Sequence, residues 1–148
     1  MRIYKVQSRT PNLLENLLNI WEASVRATHL FLSNVEINKI KEYVPKALRE
    51  VEHLIVATDD ESRPLAFMGV AFSRLEMLFV APEKCGMGIG KNILLYGIEN
   101  YGIIEVTVNE QNPQAIGFYE HMGFECYKRT DIDENGNPYP LLYMKLTQ

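Results

Sequence analysis

Three glycines at alternate positions, Gly86, Gly88 and Gly90, stand just before Lys91. A short apolar run, Leu75 to Val80, precedes them, and apolar residues at helical spacing (Ile89, Ile93, Leu94, Gly97, Ile98, Tyr101) follow. Strand, glycine-rich loop and helix in that order suit one chemistry. The loop's free backbone N–H groups and the positive end of the helix attract an anion, most often a phosphate. Without Cβ atoms, Gly86, Gly88 and Gly90 let a pyrophosphate approach the backbone closely. The plainer alternative is a turn that only packs a helix onto a sheet.

Two familiar phosphate loops fail by spacing. A Walker-type loop needs a glycine at Cys85 and Ser or Thr after Lys91, where Asn92 stands. A dinucleotide G-x-G-x-x-G begun at Gly86 ends on Lys91, and begun at Gly88 it ends on Ile93. Both failures count against a generic nucleotide binder. Cys85 lies between Lys84 and Lys91, which favour a thiolate, but no histidine is near it in the sequence, so a nucleophilic role is not expected. Cys126, in a strand-like run, reads as a small core residue. His29, His53 and His121 are scattered, with no metal-ligand spacing, and no metal is expected. His29 has two readings, a hydrogen-bonded structural residue or a substrate contact; His53 and His121 read as structural.

The elements that position these residues follow from pattern and punctuation. Ile3, Tyr4 and Val6 begin a strand. Thr10-Pro11-Asn12 opens a helix whose apolar face is Leu13, Leu14, Leu17, Leu18, Ile20, Trp21 and Val25. Ser33-x-x-Glu36 is a capping box that starts a second helix through Val44, broken or bent at Pro45. His53–Thr58, Pro64–Phe72 and Leu75–Val80 read as an antiparallel meander, with Gly69 a candidate bulge. After the loop helix come a strand at Ile103–Val108, a helix capped by Asn112 with Pro113 at its first position, a strand from Phe124, an Asn135-Gly136 hairpin loop and a last strand at Pro140–Leu146. The order is βααβββαβαββ, an α/β (α+β) class with a mixed, mostly antiparallel sheet and helices on both faces.

The 148 residues suffice for one domain, 1–148, with a single core. The net charge of −4 and the lack of a basic run make nucleic acid an unexpected partner. No signal-peptide pattern and no membrane-length apolar run occur, and two cysteines give no disulfide framework; a cytoplasmic protein with no membrane partner is expected.

A second motif stands downstream of the glycine loop: Val106-x-Val108-x-x-x-Asn112-x-x-Ala115-x-x-Phe118-Tyr119-x-x-x-Gly123-Phe124. With the loop's x-x-Gly88-x-Gly90 spacing, it resembles the GNAT superfamily of N-acetyltransferases over nearly the whole chain. Cys85 departs from that pattern, which carries Arg or Gln there. The resemblance implies direct acetyl transfer from acetyl-CoA to an amine, with no metal and no acyl-enzyme. It further implies that Leu78, Phe79 and Val80 lie along the pantetheine, with the Val80 N–H polarising the thioester carbonyl. Cys85, Gly86, Met87, Gly88, Ile89, Gly90 and Lys91 would hold the pyrophosphate, and Asn112 would lie beside the cofactor. An alkyl ammonium with a pKa near ~10.4 must lose a proton before it attacks; Glu76 is the candidate base, sharing a strand face with Leu78 and Val80 at period 2. A solvent-facing ion pair is the alternative for Glu76. Tyr119 is the candidate acid for the leaving thiolate, with a core tyrosine as its alternative. The acceptor wall would comprise Trp21, Thr28, His29, Phe31 and Tyr139, all of which could equally be core. The acceptor is a small-molecule amine or a protein lysine, and a homodimer is an assembly common in the family. The competing function on the same fold is a non-catalytic acyl-CoA sensor.

Overall fold

The computed structural model describes residues 1–147. Strand β1 (Arg2–Lys5) leads to α1 (Pro11–Thr28), α2 (Asn34–Lys41) and α3 (Val44–Glu50). Strands β2 (His53–Thr58), β3 (Pro64–Ala71) and β4 (Arg74–Val80) follow, then α4 (Ile89–Tyr101), β5 (Glu105–Asn109), α5 (Pro113–His121), β6 (Phe124–Thr130) and β7 (Leu141–Leu146). Seven strands form one sheet in the order β1-β2-β3-β4-β5-β7-β6. Every pairing is antiparallel except β4 with β5.

The caps read from the sequence are in place. Thr10 accepts a hydrogen bond from the Leu13 N–H, the Ser33–Glu36 capping box is closed in both directions, and Asn112 accepts from the Ala115 N–H. The expected second helix is instead two. A proline inside a helix lacks an N–H and clashes with the preceding turn, whereas the first turn tolerates it. The chain therefore ends α2 at Lys41 and restarts, with Pro45 in the first turn of α3. The order is βαααβββαβαββ.

Alternation along the strands divides the apolar residues between two cores. Leu17, Leu48, Leu54, Val56 and Phe67 pack under α1–α3, while Met68, Ile93, Leu94, Ile103 and Met144 pack under α4 and α5. All ten are essentially inaccessible. Each contributes roughly 1.5–3 kcal/mol of burial, which holds the two helical layers onto opposite faces of the sheet.

A β-bulge interrupts this alternation. Gly69 pairs with Met77 and the next residue, Val70, pairs with Leu75, so Glu76 is the extra residue on β4. Period 2 is lost there. Leu75, not Glu76, shares the core face of Leu78 and Val80, and Glu76 is exposed. The register expectation for Glu76 is thus corrected by one residue. Gly69 makes room for the bulge: a Cβ there would lie 2.7 Å from the Met77 side chain.

Candidate active site

The parallel seam between β4 and β5 is two residue pairs long, Arg74 with Glu105 and Leu75 with Val106. Beyond it the strands part, and β4 keeps only its β3 partner as far as Val80. A cavity of about 420 Å³ fills the opening on the side of the glycine loop, and a smaller one of about 150 Å³ runs up the splay to Glu76. Six residues line both: His29, Leu78, Phe79, Asn112, Ala115 and Tyr119. The two cavities meet at Tyr119.

At the wide end, Gly86 (φ +83°) and Gly88 (φ +78°) hold left-handed conformations, and Gly88 caps α4. Those angles turn the loop so that the first N–H groups of α4 are left free; the first helical bond joins the Asn92 N–H to the Gly88 carbonyl. A Cβ at Gly86 or Gly88 would meet nothing within 4 Å, so space stands over the loop. Lys84 and Lys91 line the same end. Free N–H groups, a helix N-terminus and two ammonium groups fit a pyrophosphate. The Cys85 thiol makes only a weak contact to the Ala81 carbonyl, 3.8 Å away, beside the backbone bonds from the Lys84 and Cys85 N–H groups that close the short 3₁₀ turn Pro82–Lys84. Met87 projects into solvent and does not line the cavity.

At the junction, the Tyr119 ring is held edge-on by Phe118 and Phe124, with centroids at 5.2 and 5.8 Å. Its hydroxyl has no hydrogen-bond partner among the described residues and is not sealed from the cavity. Burial disfavours the phenolate and pushes this phenol well above its ordinary pKa. The side chain therefore stays protonated at neutral pH and has a proton to give.

His29 follows the last residue of α1. The Thr28 hydroxyl donates to the Ser24 carbonyl at 2.8 Å and lies 2.8 Å from His29 Nδ1. A hydroxyl has one proton, and Ser24 takes it, so His29 Nδ1 carries the hydrogen and Nε2 the lone pair. Burial lowers the His29 pKa and favours this neutral form. Beside it stand Phe31, 5.5 Å between centroids, and then Tyr139, 6.1 Å further. The Tyr139 hydroxyl hydrogen-bonds to Glu36, tying the β6–β7 loop to the start of α2.

At the narrow end, neighbouring protein partly desolvates Glu76 and raises its pKa; Arg74 opposes the rise and Glu134 adds to it. Arg74 is engaged elsewhere, hydrogen-bonding to Thr107 and pairing with Glu134 at 3.2 Å. Of the expected wall, Thr28 and His29 line the large cavity; Phe31 and Tyr139 line neither cavity and reach it only through the ring contacts to His29. Trp21 does not reach it: it is 5% exposed in the core beneath α1–α3 and lines neither of the two cavities. The sequence reading missed Ser24, which fixes the His29 tautomer through Thr28, and His121, which lines the large cavity. Helical spacing of Ser24 to Thr28 was the available signal for the first.

Comparison with known proteins adds what geometry alone does not. The acetyltransferase (GNAT) domain profile matches residues 50–126. This chain belongs to the GNAT acetyltransferase family. It is 41% identical over 128 residues to the peptidyl-lysine N-acetyltransferase YjaB of Salmonella typhimurium, covering 86% of this chain and 88% of that one. YjaB of Escherichia coli is 37% identical, with 86% of each chain covered. The solution structure of apo YjaB from Escherichia coli superposes with a TM-score of 0.88 over 99% of both chains at 35% identity. A Thermoplasma acidophilum acetyltransferase crystallised with coenzyme A shares the fold, with a TM-score of 0.70 at 22% identity and 98% of this chain covered. As a GNAT protein, the chain is an acyl-CoA-dependent N-acetyltransferase. No helix among the described residues is long and apolar enough to cross a membrane.

Proposed function

We propose that this GNAT enzyme transfers the acetyl group of acetyl-CoA to the side-chain amine of a peptide or protein lysine, with Tyr119 as acid and Glu76 as base. The observation that carries the reading is the line of the cleft: glycine loop, buried phenol and partly desolvated carboxylate follow one another along two joined cavities. The lysine assignment draws on the relatives, which are peptidyl-lysine acetyltransferases.

Acetyl-CoA supplies the acetyl group as a thioester; forming the C–N bond to the amine breaks the C–S bond and leaves a thiolate. The residues of the chain do the rest. The N–H groups of Gly86–Lys91 bind the pyrophosphate, aided by Lys84. The backbone of Leu78–Val80, left without a β5 partner, lies along the pantetheine, and the Val80 N–H faces the thioester oxygen, where developing negative charge is stabilised. Asn112, oriented by its bond to the Ala115 N–H, lines the cofactor side. Glu76 takes the proton from the acceptor ammonium, directly or through water, and its raised pKa makes it a stronger base than an ordinary carboxylate. Tyr119 gives its proton to the thiolate. Thr28, His29, Phe31 and Tyr139 form the acceptor wall.

The test is a calorimetric titration with acetyl-CoA, followed by thiol release against lysine peptides, Nα-acetyl-lysine amide and polyamines. Binding with thiol release on lysine acceptors is expected. Binding without release on any acceptor would favour an acyl-CoA sensor, and absence of binding would remove the cofactor assignment.

A further inference from the structure

Phe72 sits at the tip of the β3–β4 turn with 89% of its surface exposed. Its φ is +52° and that of Ser73 is +63°. The left-handed region is unfavourable for a bulky side chain, and a solvent-facing ring offsets none of that cost by packing. The two-residue turn between the paired Ala71 and Arg74 requires φ above zero at both positions, so the fold explains the backbone but not the exposed aromatic ring placed on it.

The ring borders a groove of about 470 Å³ between the end of α3 and the β3–β4 hairpin. Ala47, Val51, Ala71 and Met77 form its apolar floor, with Val51 and Met77 converging above Gly69. Its polar rim is wholly acidic: Glu50, Glu52 and Glu76. Glu52 is paired with His53 Nε2 at 3.0 Å. Glu50 and Glu76 have no cation within ion-pair distance among the described residues. Arg74, the nearby guanidinium whose charge reaches Glu76, is held by Thr107 and Glu134. Glu76 and Met77 also line the inner cleft that reaches Tyr119, so the groove adjoins the cleft at these two residues.

We propose that this groove docks the polypeptide flanking the acceptor lysine, with an apolar side chain against Phe72 and Met77 and a basic side chain beside Glu50 and Glu52. The proposal rests on the lysine-acceptor reading above. A lysine entering the cleft past Glu76 leaves its neighbours over the groove. In an extended chain, residues two positions apart project to the same side. An acidic rim with an apolar floor selects a cationic, partly apolar segment and repels an acidic one.

Thiol release at saturating acetyl-CoA tests this on peptides with one lysine flanked by Arg and Leu or by Glu and Ser, with Nα-acetyl-lysine amide as the acceptor that has no flanks. The readout is the ratio of kcat/KM for each peptide to that for the amide. Wild-type enzyme is expected to favour the Arg/Leu peptide about tenfold, through KM, with the preference shrinking as salt rises. Glu50→Lys is expected to abolish or invert that order. Phe72→Gly, which relieves the strained turn, is expected to bring the ratio down toward that of the amide. An unaltered peptide order in both variants would overturn the docking groove, as would wild-type indifference to the flanks, while leaving lysine acetylation standing. Acetylation of polyamines but of no lysine acceptor would overturn both.

Discussion

Replacing Tyr119 with phenylalanine removes one oxygen from the centre of the cleft. The ring contacts with Phe118 and Phe124 survive, and no hydrogen bond within the described residues is lost, because the hydroxyl makes none. Stability should therefore change by less than about 1 kcal/mol. A general acid typically contributes 10²–10⁴ in rate, or about 2.7–5.5 kcal/mol of barrier. The pair of measurements is kcat by thiol release and acetyl-CoA affinity by calorimetry. We expect kcat to fall at least about 100-fold, with affinity nearly intact. An alkaline stability curve supplies an independent check. The folded-state pKa of Tyr119 is raised by burial, so the unfolded chain releases this proton first. That contribution to stability is present below about pH 10 and is lost as pH rises beyond it; Tyr119→Phe should lose less. Parallel loss of affinity and turnover, or unchanged turnover, would refute the acid role.

Glu76 must be ionised to accept a proton and its pKa is raised, so the acid limb of kcat/KM should lie above the ordinary carboxylate range and vanish in Glu76→Gln. A limb that persists in that variant would shift the base to His29, whose Nε2 carries the lone pair. Gly88→Ala should cost about 1–2 kcal/mol, read by urea denaturation, because φ is +78° there. Gly90→Ala places its methyl 3.6 Å from Phe118 and Val80, an ordinary contact, so stability should hold while calorimetry shows weaker acetyl-CoA binding. Gly97→Ala drives a methyl to 2.5 Å from Ile103 and 2.7 Å from Met68, both fully buried, and should destabilise by about 1–2 kcal/mol on denaturation even after its gain in helix propensity.

Local signals carried most of the fold into the sequence. Thr10, Ser33 and Asn112 announced their helices because a cap is a contact within a single turn, and the glycine loop announced its left-handed turn because its requirement is conformational. Glu76 shows where local reading stops. Period 2 assigns it a face, but the bulge opposite Gly69 depends on β3 pairing with β4 and on space left beside Val51, which no local pattern encodes. Trp21 failed for a similar reason: an apolar residue on a helix can face a core or a cleft, and only the packing of α1 on the sheet decides. Pro45 was visible as a break, but whether the chain resumes as helix depends on Leu48 finding a buried place against its neighbours.

The β4–β5 seam also bears on how long the protein lasts. Among the described residues, two parallel residue pairs, with the Ser73 carbonyl accepting from the Ile104 and Glu105 N–H groups beside them, join the two halves of the sheet, and parallel pairing waits until α4 has folded back across the sheet. Acetyl-CoA lying between the parted strands would bridge those halves. A ligand at 100 times its Kd adds about 2.7 kcal/mol to the folded state, a large share of the marginal stability of a domain this size. Susceptibility to proteolysis would then track the supply of acetyl-CoA, so that scarcity of the cosubstrate lowers the amount of enzyme as well as its rate.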